Sequence, residues 1–401
     1  FLLKIICSLS TKRQDESCLR SFIEGSNEFL KIRLDALYRL ALAENNPQRT
    51  FLMKKYKVGI LGYGWAATAH ADAINATGTG EVAAVCSSRK LDEAELSARH
   101  GSAIKAYRKL EDMLADDEID VIDVTGYPNK HAPQVIQAAE AGKHLIIEKP
   151  LALNAREVYA MQKAAKKAKV GTCVCFELRY CNQFLVTQAI LDKGLLGDLH
   201  YGEIDYYHGV GPWYGQYRWN VKKSMGGSSL LSAGCHALDM LIGMMGGEVT
   251  EVTSYATQSK HKYFKKYEYP TTCVTILKFK DGRIGKTASV LDCFQPYYFH
   301  THLVGSEGSL LDNKLHSNSL ELDKTKWSEL SMKLADSGDV ADHPYQAQFE
   351  AFFDSLNKGK PMPKTSLDEA IKTHELIFAA DLSAKRGGKP VKISEIRRAK
   401  K

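Results

Sequence analysis

Three side chains able to handle protons or hydrogen-bond a polar molecule recur at helical spacing in Gly226-Gly227-Ser228-Ser229-Leu230-Leu231-Ser232-Ala233-Gly234-Cys235-His236-Ala237-Leu238-Asp239. A helix entered through the glycines would put Ser232, His236 and Asp239 on one face, where they can address one substrate. An imidazole ordinarily titrates near neutrality, so His236 suits proton transfer to or from a hydroxyl. Asp239 could orient that ring or accept hydrogen bonds from substrate hydroxyls. The other chemical signal is Gly62-Tyr63-Gly64-Trp65-Ala66-Ala67, which follows the apolar run 57–61. Strand, tight glycine turn and helix in that order cradle a dinucleotide pyrophosphate. The first glycine makes the turn, the second lets the phosphates approach the backbone, and the helix N-terminus offers free N–H groups. Gly62, Gly64, Trp65 and Ala66 are therefore expected against a cofactor.

The elements around these residues follow from the same pattern. A second strand over 81–88 ends at Ser87-Ser88-Arg89, where an NAD site would carry an acidic residue for the ribose. Hydroxyls followed by a guanidinium suit a 2′-phosphate instead, which favours NADP over NAD. The apolar run 119–125 reads as a buried parallel strand ending in Gly126-Tyr127-Pro128-Asn129-Lys130-His131. A helix over 132–141 follows, closed by Gly142, and then a strand over 144–147 that ends in Glu148-Lys149-Pro150. Strand carboxyl ends line the cofactor crevice in a doubly wound sheet, so Pro128, Asn129, His131, Glu148 and Lys149 should lie near the ligand.

Composition narrows the function classes. A chain of 401 residues with 44% hydrophobic and 25% charged residues has room for two domains and a substantial core. The net charge of +7 is concentrated at 385–401, where eight Lys or Arg face only Glu395, so the body is near neutral and no nucleic-acid groove is expected. That tail reads as a solvated, partly frayed end. With no apolar run near the roughly 18 residues of a membrane span, no membrane partner is expected. Nine scattered cysteines without a CxxC pair fit a reducing compartment, the cytoplasm. The absence of zinc spacing leads us to expect no metal. Residues 1–52 read as an appended segment outside the core fold, because Met53 and the first strand look like a natural start.

In the second half, Asn154 caps a helix through 167, 170–176 is a last β-run of the first domain, and Glu177-Leu178-Arg179-Tyr180 leads onward. Strands are expected at 200–207, 249–257, 272–280, 283–292, 298–304 and 310–311, with Asp281-Gly282 as a hairpin turn. They amount to a large antiparallel or mixed sheet. Helices are expected from His343-Pro344-Tyr345 to 356 and over 366–384. Trp213 and Tyr214 belong to an aromatic loop that could stack on sugar C–H faces or fill core.

Taken together, Gly62-x-Gly64-x-x-Ala67, Pro128-Asn129-Lys130-His131 and the AxxxGKHxxxEKP stretch from Ala138 to Pro150 resemble the glucose–fructose oxidoreductase, inositol dehydrogenase and MocA family of nicotinamide-dependent oxidoreductases. The resemblance runs over roughly 53–393. It implies an α/β chain with an N-terminal Rossmann doubly wound parallel sheet at 53–174 and a C-terminal α/β domain at 175–365 with a large open, mostly antiparallel sheet. A C-terminal helix within 366–401 would pack back near the first domain, ahead of the basic tail. By the same resemblance Lys149 contacts the nicotinamide ribose or substrate and assists proton transfer. His236 would complete the acid/base pair, with Ser232 standing where the family carries an aspartate. Arg179, Tyr180, Trp213, Tyr214, Ser232 and Asp239 are the substrate candidates. The implied activity is hydride transfer between NADP or NAD and a secondary hydroxyl or ketone of a sugar, polyol or related carbohydrate, by a homodimer or homotetramer. A redox-neutral NAD-dependent glycosidase and a non-catalytic dinucleotide sensor are the other two readings.

Overall fold

The computed structural model describes residues 54–336 and 343–398, so the expectations for 1–52 and for the last lysines fall outside the described residues. Six strands, β1 (Tyr56–Leu61), β2 (Gly80–Cys86), β3 (Lys105–Tyr107), β4 (Val121–Val124), β5 (His144–Ile147) and β6 (Thr172–Val174), form a parallel sheet in the order β3-β2-β1-β4-β5-β6. This is the order of a doubly wound dinucleotide fold, with the crevice where the order reverses between β1 and β4. Val58, Ile60, Val121, Ile122, Leu145 and Ile146 are fully buried because helices cover both faces of the sheet. The helix Ala155–Ala168 starts where expected, with the Asn154 side chain accepting from Glu157 N–H at 3.0 Å. The helix Pro128–Glu140 starts four residues before its expected position, since Pro128 occupies the first turn, where no N–H is needed.

Among the described residues, nine more strands form the second sheet. They are β7 (Leu199–Tyr207), β8 (Val249–Thr257), β9 (Thr272–Phe279), β10 (Ile284–Val290), β11 (Tyr298–Gly305), β12 (Gly308–Leu311), β13 (Lys314–Ser317), β14 (Ser328–Glu329) and β15 (Val391–Lys392). Their order is β14-β13-β12-β11-β7-β10-β9-β8-β15, and only β7 and β10 pair in parallel. The helices Cys235–Met245 and Leu367–Lys385 pack on one face. The other face is open, and along it Tyr255, Val274, Ile276 and Ile284 are exposed.

Three features differ from the sequence expectation. As far as residue 398 the tail is packed on the fold: Val391–Lys392 extends the sheet beside β8, Arg386 pairs with Glu395, and Arg397 bonds Glu375. The helix Tyr345–Asn357 packs on the first helix of the parallel layer, burying Phe349, Phe352 and Phe353. Thirdly, the stretch Lys223–Met245 is apolar and long enough to cross a membrane by composition, yet 78% of its most apolar window is buried inside the fold. Its hydrophobicity is that of a core helix.

Candidate active site

The glycine turn leaves β1 with Gly62 at φ +101°, a conformation glycine adopts without cost, and Gly62 N–H donates to Cys86 O at 2.9 Å. Gly64 caps the helix Trp65–Ala76 with no side-chain bond, and a Cβ at Gly64 would meet nothing within 4 Å. The first turn carries no acidic residue. An open, uncapped helix N-terminus of this kind is chemically suited to a dinucleotide pyrophosphate. At the end of β2, Ser87 is buried and accepts from Arg89 N–H at 3.1 Å, while Ser88 and Arg89 are exposed. The Arg89 guanidinium donates to the Tyr63 carbonyl, which holds a permanent cation beside the loop.

The ends of β4 and β5 are cross-linked by buried charge. His70, from the first helix, donates from Nδ1 to Asp123 at 2.9 Å and from Nε2 to Glu148 at 3.0 Å. Burial opposes a charged imidazole, but the two carboxylates win and push His70 up to about 10. Glu148 also accepts from Tyr345 Oη and from Lys149 N–H, and despite its burial the charged His70 above all, with the Lys149 ammonium and Tyr345, holds it down to about 2. Its side chain therefore braces the strand end where cofactor contact was expected. His131 is likewise structural: it is fully buried, with Nδ1 2.9 Å from Pro150 O and Nε2 3.1 Å from Gly126 O. Pro128 is buried, and Asn129 is exposed in the first turn of its helix. Lys149 is half-buried on a narrow cavity shared with Trp65, Ala66, Tyr214 and His236. Burial would strip its proton, yet the Cys235 sulfur and the Glu148 and Glu177 carboxylates raise it above the ordinary lysine range.

The second layer brings His236 to that cavity but rearranges its neighbours. A π-helical turn over Leu230–Gly234 precedes the helix Cys235–Met245, so the spacing from Ser232 to His236 is not that of one regular helix. Ser232 still reaches the cavity wall, with its hydroxyl engaged by Gly226 O, Ser228 O and Tyr269 Oη. Asp239, expected at the substrate, is not part of the cavity lining. Arg179 Nε lies 2.6 Å from Asp239 Oδ2 and Arg179 Nη2 2.9 Å from Oδ1, and Thr373 adds a bond of 2.6 Å. The two substrate candidates Arg179 and Asp239 thus satisfy each other inside the core. Tyr180 lies under the Lys364 ammonium, 5.2 Å from its ring centre, outside the cavity lining.

Sequence reasoning passed over Glu177, His343, Tyr345 and His208. Glu177 is fully buried, 3.8 Å from His236 Nε2 and 3.1 Å from His343 Nδ1. Burial pushes its carboxyl up to about 8. His236 is driven well below the ordinary imidazole range by burial, helped by Lys149 and His343, and is neutral. Tyr206 stacks beside His236 at 6.4 Å. Burial lowers His208 to about 4. The aromatic pair splits: Tyr214 lines the narrow cavity edge-on to Trp65, at 5.8 Å, whereas Trp213 opens onto a neighbouring hollow of about 560 Å³ with Phe294 and Tyr297. His208 borders both spaces.

Two groups of metal-ligand type come together among the described residues, His70 with Glu148 and Cys175, and Glu203 with His300 and His302. In the first, both His70 nitrogens already bond carboxylates. In the second, Lys286 supplies the cation, at 2.6 Å from both Glu203 and Asp205.

Comparison with known proteins agrees with this fold. The model of the GFO/IDH/MocA oxidoreductase family, NAD-binding Rossmann fold, matches residues 56–176, and the GFO/IDH/MocA C-terminal domain matches 184–311. The chain is 25% identical over 340 residues to the myo-inositol 2-dehydrogenase of Thermotoga maritima, covering 85% of this chain and 99% of that protein. It is 27% identical over 191 residues to the scyllo-inositol 2-dehydrogenase (NADP(+)) of Bacillus subtilis, covering 47% and 52%. Its fold matches that of a levoglucosan dehydrogenase in complex with NADH and levoglucosan, with a TM-score of 0.73 at 21% identity over 84% of this chain and 99% of that one.

Proposed function

The chain belongs to the GFO/IDH/MocA family of NAD(P)-dependent oxidoreductases, and from that premise we propose that it moves hydride between the cofactor and a secondary alcohol or ketone carbon of a cyclic polyol or sugar. The observation that carries this reading is the meeting of Trp65 and Ala66 from the glycine loop with Lys149 and His236 along one cavity. Bound in the cradle, the nicotinamide supplies the hydride acceptor or donor. Lys149, held as an ammonium, stabilises negative charge on the reacting oxygen. His236, held neutral, takes the hydroxyl proton in the oxidative direction. Tyr214 and Trp65 narrow the space over the reacting carbon, which favours a fixed orientation. Arg89 beside the glycine loop supports NADP as the preferred cofactor, although relatives carry names with either dinucleotide. The exposed apolar residues of the open sheet face support a homodimer or homotetramer. Seven unpaired cysteines among the described residues support a cytoplasmic setting.

The test combines fluorescence titration with NADP and NAD and an absorbance assay of reduced nicotinamide over a panel of inositols and sugars. Turnover of at least one cyclic polyol or sugar is expected. Lys149→Ala should lower kcat by about 100-fold or more while leaving the dinucleotide Kd within about twofold. Tight dinucleotide binding with no net redox change on any member of the panel would overturn the reading.

A further inference from the structure

Of the described carboxylates nearest Lys149 and His236, Glu177 is the one that faces only imidazoles, His343 Nδ1 at 3.1 Å and His236 Nε2 at 3.8 Å, both on Oε1. Asp239 is held by Arg179 and Thr373, and Glu148 by His70, Tyr345 and the Lys149 N–H. Neither Glu177 oxygen receives a well-formed hydrogen bond, although the side chain is fully buried. A buried carboxyl with no well-aligned hydrogen bond is costly, and its persistence beside a reaction centre points to use. Across from it, His236 Nδ1 is also buried without a partner.

We propose that Glu177 is the positioning carboxylate of His236: it fixes the proton on Nε2 and balances the charge the ring gains on taking the hydroxyl proton. This rests on the oxidoreductase reading above. The Nε2–Oε1 distance is 3.8 Å, so a proton on Nε2 faces the carboxylate and Nδ1 keeps the lone pair. His236 is hemmed by the Lys149 ammonium and by His343, which disfavour a second positive charge. An ionised Glu177 offsets them. In the oxidative step the hydroxyl O–H proton passes to the imidazole, giving imidazolium. The carbinol C–H leaves with its electron pair for the oxidised cofactor, giving C=O and reduced cofactor.

The groups facing Glu177 come from every element packed around it. Lys149 and Glu148 approach from the end of β5, His70 from the first helix, and His236 with Cys235 from the second layer. His343 and Tyr345 close the late side, and Cys175 and Cys181 flank the turn that carries Glu177. Burial dominates this balance and keeps the carboxyl neutral until about pH 8. Above that value it ionises, so the oxidative rate rises with pH through the same range.

The experiment compares the full-length wild type with Glu177→Gln and Glu177→Asp. In Glu177→Gln, kcat should fall about 100-fold, the rise through pH 8 should vanish, and dinucleotide affinity should stay within about twofold. Glu177→Asp should restore part of the rate and of the pH rise. Independently of turnover, ¹⁵N NMR of the His236 ring, recorded above pH 8 where Glu177 is ionised, should show the Nε2–H tautomer in the wild type and a mixture in Glu177→Gln. An unchanged pH profile, or the same tautomer in both proteins, overturns the proposal. A wild type silent on every polyol and sugar would count against the substrate reading, and the tautomer would then decide Glu177 on its own.

Discussion

His70 Nε2 lies 3.0 Å from Glu148 Oε1, and this contact ties the helix behind the glycine loop to the strand end that presents Lys149. The two halves of the cofactor crevice are thereby joined through a buried charge. Because the His70 ring also bonds Asp123, it stands between two carboxylates and is held charged. Removing it leaves both acids without their cation.

His70→Asn should therefore cost about 3–5 kcal/mol of stability, read by urea unfolding near neutrality. The pH dependence has a definite sign. A group raised from 6.5 to about 10 contributes its full stabilisation below 6.5 and loses it as pH climbs through 10. Wild-type stability should thus decline across that window, and the decline attributable to this ring should be missing in His70→Asn. Equal alkaline slopes in the two proteins would show that His70 is not charged.

The Arg179–Asp239 pair makes a different prediction, because it is a core clamp with its guanidinium against Gly243, where a Cβ would come within 3.0 Å. Arg179→Met alone strands Asp239 and should destabilise by about 3–5 kcal/mol. The double variant Arg179→Met with Asp239→Leu should recover most of that loss. If substrate KM moved in the single variant while Tm did not, the pair would belong to the binding surface instead.

Arg89→Ala separates the two cofactors. Loss of the guanidinium should raise the Kd for NADP by about tenfold or more and that for NAD by no more than about twofold. Parallel losses for both dinucleotides would mean that Arg89 supports the Tyr63 loop and reads no 2′-phosphate.

The open sheet face can be tested by charge. Ile276 is 49% exposed, beside Val274 on β9 and across from Lys286 on β10. Ile276→Asp should shift the particle mass in light scattering from a multimer to a smaller species, without a fall in Tm beyond that caused by dissociation. A monomeric wild type would contradict this expectation.

What the sequence made legible was local. The glycine turn, the β5 run from His144 to Ile147 and the cap at Asn154 each depend on residues within a few positions of one another. The corrections came from partners distant in sequence. Asp239 shares a helix with His236, but its role was decided by Arg179, 60 residues earlier, and by Thr373, 134 residues later. The π turn that shifts Ser232 against His236 has no marker in residue type. Glu177 was visible as a residue at a domain junction. Its burial and lack of bonds emerge only when β5, the Cys235–Met245 helix and the segment at His343 converge on it.

The Tyr345–Asn357 helix has a consequence for how this protein can be cut or grafted. Phe353 stacks on Tyr56 at 5.7 Å and leaves no room for a Cβ at Gly80, Gln348 bonds Val174 O, and Val174 N–H donates to Thr365 O. The nucleotide-binding layer is therefore finished by residues made about 170 to 190 positions after its last strand. A ribosome-bound chain that has emerged only through β6 still shows the apolar back of β1 and β2 to water. Chaperone demand should persist until the late helix arrives. For the same reason a chimera that borrows 54–176 as a portable cofactor module inherits an uncovered aromatic socket, and it must carry 343–366 with it to close the seam.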